Sequence, residues 1–389
     1  MRYTIGWFMF AGLLLTGCGG DVRANVTVPE VGTASPGDAC YQVYIRAAKS
    51  VEDRASKYIG RTTWSPDQRD AVVAASSEAI RIVSGVRNAQ FGRTWDKPFG
   101  IRENTRGWRT LGRALTWRAE VAIKNEDYAD ARFCLSVALN IAGALSGSDS
   151  HDAAMGLEIV DECLSAIWPA LPRFPAGTLQ MVSSDTRQAL EGGPLASAVI
   201  TQERDLMLAQ IGWVRDRYQE RDFDGMQSTL GESVAPTVKY LRELVESPAA
   251  EQQAYFNGFA EEIEADIALF KQRLATTPAQ WQDEEKRGTR AWMRFTKAFG
   301  TPWRVYVKRR AEVRTRLRLL AIDAALLGQF KAAGSVPRDL GGFPASLRTD
   351  PYSSRNLVYV FRGVDYKLYS VGPNGIDEGG DKGDITVDR

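Results

Sequence analysis

The 389-residue chain is poor in the residues on which most enzyme chemistry depends. It has one histidine, His151, and four cysteines. A lone histidine acts as a general base only beside a positioned nucleophile, and the sequence identifies none. The catalytic signatures with a clear physical basis are missing as well. There is no Gly-x-Ser-x-Gly elbow, no His-Glu-x-x-His pair, no Gly-x-Gly-x-x-Gly dinucleotide loop and no Gly-x-x-x-x-Gly-Lys phosphate loop. No Cys-x-x-Cys occurs either, so neither a thioredoxin-like redox site nor a zinc knuckle is indicated. Charge of one sign is not in excess, with 49 basic against 48 acidic residues. That balance removes any global argument for nucleic acid or an anionic surface as partner. After the first fifteen residues no apolar run approaches the ~20 residues that a membrane-spanning helix needs, so the remainder is expected to be soluble.

What is present begins at the start. Arg2 is followed by an apolar stretch from Ile5 to Leu15 and then by Leu15-Thr16-Gly17-Cys18. The stretch has the length of a signal-peptide core. The four residues that close it are similar to the bacterial lipobox: a large aliphatic residue, two small residues, then cysteine. The resemblance implies cleavage before Cys18, covalent lipid on Cys18 and attachment to a membrane of the cell envelope, facing the periplasm or exterior. Two or three acyl chains suffice for stable anchoring. Residues 18–37, rich in Gly, Val, Pro, Thr and Ser, read as a flexible tether.

The fold class expected is mainly α: a multi-helix antiparallel body at 38–300, then a small α+β module at 301–389. Ser65-Pro66-Asp67 opens a helix with a cap, a proline at the first position and an acidic first turn. Helices are also expected over Trp108–Asn125, Asp127–Leu145, Asp149–Ala170, Pro194–Arg221, Val234–Glu246, Ala249–Leu274 and Pro278–Phe299. Ala119, Tyr128, Ala131 and Ala138 fall where a tetratricopeptide hairpin places its packing residues, but without a second copy they read as two helices packed through small side chains. The recurrent tryptophans, Trp64, Trp108 and Trp117 among them, read as core. His151, in Ser148-Asp149-Ser150-His151, reads as a solvated residue at a helix start. Cys40, Cys134 and Cys163 permit at most one disulfide; Cys134 with Cys163 is the pair expected if one forms, and burial as small apolar side chains is the alternative. Acidic Glu261–Asp266 and a basic helix carrying Lys308, Arg309, Arg310, Arg314, Arg316 and Arg318 read as solvated faces, with a phosphate or membrane patch as the second reading.

In the module, Val305–Ala333 reads as one long helix with an apolar stripe of Leu317, Leu320, Ala321, Ala324 and Leu327, ended by Gly334. Leu357–Phe361 and Tyr366–Ser370 form a hairpin signal. A long helix packed on a short antiparallel sheet is the architecture that follows. The order of helix, Gly334-Ser335-Val336-Pro337, Asp350-Pro351-Tyr352, Leu357-Val358-Tyr359, Tyr366 to Gly375 and Asp384-Ile385 resembles the globular head of the major pseudopilin of type II secretion. The chain as a whole also resembles a group of uncharacterised bacterial lipoproteins, which brings no activity with it. The pseudopilin likeness covers about the last 80 residues and implies a calcium site in the final loop, for which Asn374, Asp377, Glu378, Asp381 and Asp384 are the candidate ligands. Pseudopilins carry a hydrophobic assembly helix where this chain carries a lipobox, so entry into a pilus is not expected.

These features imply an envelope lipoprotein with a scaffold or interaction role, with envelope or secretion proteins as partners. Two alternatives are an accessory component of a type II secretion or pilus-like system, and a hydrolytic envelope enzyme using an unidentified carboxylate pair. No residue such as Glu261 or Glu284 is singled out for that chemistry, and no small-molecule substrate is identifiable.

Overall fold

The computed structural model describes residues 36–59, 61, 63–86, 105–192, 196–281 and 302–387. The described residues form twelve α-helices and a three-stranded antiparallel sheet that follows the helical body. The helices are α1 (Pro36–Arg54), α2 (Pro66–Ser84), α3 (Thr105–Lys124), α4 (Tyr128–Leu145), α5 (Ser150–Ile167), α6 (Ala176–Gly192), α7 (Ala196–Gln219), α8 (Phe223–Leu230), α9 (Ala235–Leu244), α10 (Ala249–Ala275), α11 (Pro302–Ala333) and the short α12 (Ala345–Arg348). The strands are β1 (Val358–Arg362), β2 (Asp365–Ser370) and β3 (Ile385–Thr386).

Local chemistry sets the helix starts. Each first turn leaves backbone N–H groups without intrahelical acceptors, and side-chain oxygens meet them. The Ser65 hydroxyl accepts from Gln68 N at 3.3 Å while the Gln68 side chain accepts from Ser65 N at 3.0 Å, a reciprocal cap on α2. Asp127 accepts from Asp130 N to start α4, and Asp149 accepts from His151 N and Asp152 N to start α5. Two glycines permit close helix approach. A Cβ on Gly107 of α3 would lie 2.3 Å from the Ala48 carbonyl of α1, and one on Gly156 of α5 would lie 2.8 Å from Ala142 Cα of α4.

The buried side chains divide into two clusters. The first draws on α1 to α6, the later two thirds of α11 and the sheet, with Leu111, Leu135, Ile141, Leu164, Leu319, Ile322 and Leu368 inside it. The second draws on α7 to α10 and the first turns of α11. In α10 it takes Phe256, Phe259, Ile263, Ile267 and Phe270, the spacing of one helical face. The α11 helix serves both clusters: Trp303, Tyr306 and Val307 lie in the second and Val313 to Leu327 in the first. The body expected at 38–300 and the module expected from 301 therefore share a continuous core.

Two readings change. The apolar stripe on α11 is too narrow: Leu317, Leu320, Ala321, Ala324 and Leu327 are buried, but so are Leu319, Ile322 and Leu326 on other faces. This stretch is surrounded, with Ser183 of α6 donating to Ala321 O at 2.7 Å and Tyr366 of β2 donating to Asp323 Oδ1 at 2.5 Å. Helix α6 was not anticipated, because its polar middle, Ser183-Ser184-Asp185-Thr186-Arg187, has no clear periodicity; packing of Leu179 and Val182 in the first core supports it. The helix expected at Pro278–Phe299 lies mostly outside the described residues; Pro278–Gln280 at its start form a 3-10 turn.

The hairpin forms as expected, with Val358 opposite Tyr369 and Arg362 opposite Asp365. Gly363 supplies the left-handed φ of +85° that its two-residue turn requires. Gly334, at φ +70°, ends α11 by donating to Phe330 O at 2.7 Å.

Candidate functional site

Cys18, the expected lipid site, lies outside the described residues. Cys134 and Cys163 lie on successive helices as expected, but both are free thiols and both are buried. Burial pushes the Cys134 thiol up to about 12 and raises Cys163 as well. They act in this structure as small apolar side chains.

The final loop gathers its carboxylates around glycines, with most of their hydrogen bonds internal to the module. Asn374 Oδ1 accepts from Ile376 N at 3.1 Å, and its amide donates to Glu378 Oε1 at 2.5 Å. Asp377 Oδ1 accepts from Gly379 N and from the Tyr369 hydroxyl, both at 2.9 Å. Burial first, and then that bond to Asp377, raises the Tyr369 phenol to about 12. Asp384 Oδ2 accepts from Gly380 N at 2.6 Å. Asp381 is exposed, and Lys367 Nζ lies 3.9 Å from it. Among the described residues no three acidic, histidine or cysteine side chains gather closely enough to hold a metal ion. Two buried carboxylate oxygens, Glu378 Oε2 and Asp384 Oδ1, have no hydrogen-bond partner.

His151 is half-buried rather than fully solvated. Around it the start of α5 carries a buried polar network absent from the sequence reading. Asp149, Ser150 and Glu203 are essentially inaccessible. Glu203 of α7 accepts from Ser150 Oγ at 2.6 Å and Ser150 N at 3.0 Å, and the Ser148 hydroxyl donates to Asp152 at 3.0 Å. A serine hydroxyl beside a carboxylate has a nucleophile's chemistry. Ser150 is 0% exposed, so no substrate reaches it, and the pair acts as a clamp between α5 and α7.

The concave surface lies elsewhere, where α2 crosses the end of α3 and the start of α4. Two adjoining open clefts, each of about 380 Å³, share Asp70 and Val121. One is walled by Trp64, Trp117, Arg69, Glu120 and Lys124. The Trp64 and Trp117 rings are 5.1 Å apart, and Tyr58 lies 6.2 Å beyond Trp64. Cations cover these rings: Arg69 over Trp117 at 5.5 Å, Arg113 over Trp64 at 6.0 Å, and Lys57 over Tyr58 at 4.8 Å. Arg69 pairs with Glu120 at 3.4 Å along the wall. The second cleft is polar, with Arg118 holding Asp130 through two hydrogen bonds of 2.9 and 2.6 Å. Asp130 is also the first source of the rise in the Arg118 pKa, through that bond.

No family model, no curated protein and no solved structure matches the chain. The cleft is therefore read from its own chemistry. Its rings and guanidinium groups offer flat, amphipathic contact area, and its carboxylates and Lys124 give it polar edges. Of the tryptophans read as core, Trp117 is buried as expected, at 9% exposed, and Trp64 is half-buried and packs against the same core. The signal available earlier was Trp64 immediately before the Ser65-Pro66 cap, which places it at a helix entrance rather than on a buried face.

Proposed function

We propose that the chain is a lipid-anchored protein of a bacterial cell envelope whose helical body is a scaffold that docks partner proteins in the Trp64–Trp117 cleft. The observation that carries this reading is the cleft itself, because aromatic and arginine side chains together with a polar rim are the composition of protein-binding hot spots. The Leu15-Thr16-Gly17-Cys18 sequence supports the anchor. No helix among the described residues is long and apolar enough to cross a membrane. A photo-crosslinking amino acid at Val121, which lines both clefts and is 48% exposed, tests the docking part in intact cells. A discrete adduct lost in Trp64→Ala is expected; no adduct, or the same adduct from a crosslinker at exposed Val305, overturns it. For the anchor, Cys18→Ser is expected to release the protein from membranes and to abolish labelling by radioactive palmitate. Unchanged fractionation overturns that part.

A second reading, an accessory of a type II secretion or pilus-like system, draws support from the hairpin. Strand β1 lies at the sheet edge and exposes Val360 and Phe361, and the adjoining turn exposes Val364. An edge with apolar side chains suits the addition of a strand from another chain. Co-purification of pseudopilin subunits, lost in Phe361→Lys, is the result this reading expects. We also propose calcium for the final loop, supported by the two carboxylate oxygens without hydrogen-bond donors and by the glycines around them.

A further inference from the structure

The basic helix α11 divides its cations between two faces. Arg309 and Arg316 are seven residues apart and so share a face. Both reach Asp161 of α5, Arg309 at 3.2 Å and Arg316 by a direct hydrogen bond. Arg309 also pairs with Glu312 at 3.3 Å. This face is neutralised by carboxylates that the fold brings to it.

Arg310, Arg314 and Arg318 stand four residues apart on a different face, stacked along the axis with a rise of about 6 Å per step. Among the described residues no carboxylate forms an ion pair with any of them. The acceptor nearest Arg314 is the carbonyl of Leu190 at the end of α6, at 3.5 Å, which is the outer limit of a hydrogen bond. Arg318 Nε is out of water without an acceptor. All three side chains are half-buried. Burial and the charges of Arg310 and Arg318 push the Arg314 pKa down to about 10; burial and then Arg310 lower Arg318, against the nearby charge of Asp350. The Tyr306 hydroxyl faces the same group; Arg310 and Arg314 draw its pKa down while burial raises it further.

This arrangement opposes stability twice over. Like charges at i, i+4 repel along a helix, and a desolvated guanidinium without a carboxylate in direct contact is unfavourable. Packing of the aliphatic stems alone would let the charged heads reach bulk water. Here the buried Arg318 Nε and the desolvated Arg314 keep donors inside the surface instead. Three planar donors in a row on one helix face, without a carboxylate in ion-pair contact and half-exposed, suit the forked geometry by which arginine holds oxyanions. We propose that Arg310, Arg314 and Arg318 form a binding site for an oxyanion of the phosphate class, either free or carried by a phospholipid headgroup. A single phosphate bridges two neighbouring guanidinium groups, and a diphosphate reaches along the row.

The test uses the full chain with Cys18→Ser, so that any anchor is removed. In one arm its melting temperature is followed with inorganic phosphate or pyrophosphate against chloride at equal ionic strength. In the other, co-sedimentation is measured with vesicles of phosphatidylglycerol and of phosphatidylcholine. Arg314→Gln is compared with Arg316→Gln, whose side chain serves the neutralised face; circular dichroism checks folding, and Arg310→Gln and Arg318→Gln replace Arg314→Gln if it does not fold. Stabilisation by phosphate that weakens at least tenfold in Arg314→Gln and persists in Arg316→Gln supports a soluble ligand. Selective binding to phosphatidylglycerol with the same variant pattern supports a headgroup. No response in either arm, or an equal response in wild type and Arg314→Gln, overturns the proposal.

Discussion

Ser150 donates its hydroxyl hydrogen to Glu203 at 2.6 Å in a place that water does not reach. Ser150 opens α5, which packs in the first core, and Glu203 lies on α7, which packs in the second. The bond is thus a polar tie between helices of the two buried clusters.

Removing that carboxylate strands two donors, Ser150 N and Ser150 Oγ. Glu203→Ala is expected to lower stability by about 3 kcal/mol, and Ser150→Ala by about 1 kcal/mol because the glutamate keeps the backbone donor. Urea denaturation checks both. Equal effects from the two variants would show that the carboxylate has no special share in the contact.

The two core thiols lead to a pH prediction. Cys134 is raised from an ordinary value of 9.0 to about 12, and Cys163 is raised well above 9.0. In the fold both stay protonated, whereas the unfolded chain ionises near 9.0. The unfolded state then binds fewer protons, so stability falls as pH rises above that value. Native protein between pH 7 and 9 is expected to leave both thiols unreacted with iodoacetamide, and denatured protein to alkylate both. Mass spectrometry of the two peptides decides, and native alkylation at either position would contradict the burial.

Much of this architecture was legible from local chemistry, and the parts that were not depend on long-range contact. Ser65 with Pro66, Asp127 and Gly334 marked helix ends because capping is settled within four residues. The β1–β2 hairpin was readable for the same reason. Helix α6 was hidden because Ser183 and Thr186 look like loop residues until Ser183 meets the Ala321 carbonyl, 138 residues further on. The division of the α11 arginines was hidden likewise. Their spacing was visible, but Asp161 stands about 150 residues upstream, and only the fold shows which arginines it reaches. Trp64 and Trp117 form one cleft through the crossing of α2 and α3, and their sequence separation conceals it.

Calcium has a direct readout. A melting scan is expected to show a higher melting temperature with calcium than with chelator, reduced in Glu378→Gln and Asp384→Asn because their unpartnered oxygens are the best donors available. Asp381→Ala should matter less, since that carboxylate is exposed and faces Lys367. Superimposable curves with and without the ion would remove calcium from the account.

Shared packing bears on the tail as a separate unit. Leu319, Ile322 and Leu326 are fully buried in the core that α1 to α6 help to build. A fragment of residues 302–389 would return part of that surface to water, at about 1.5–3 kcal/mol for each large side chain fully re-exposed. It is expected to give poorly dispersed amide signals by NMR, with dispersion recovered when the fragment is mixed with residues 36–281. Sharp, dispersed signals from the fragment alone would show that its own sheet suffices.

The placement of α11 across both cores also sets what each core lacks without that helix. The second cluster lacks Trp303, stacked on Phe270 with ring centroids 5.2 Å apart, until the chain has grown past the start of that helix. The first lacks Val313 to Leu327, although α1 to α6 all precede them in the chain. A chain that stops short of α11 therefore leaves both clusters unfilled, so the helical body depends on that helix for its own packing.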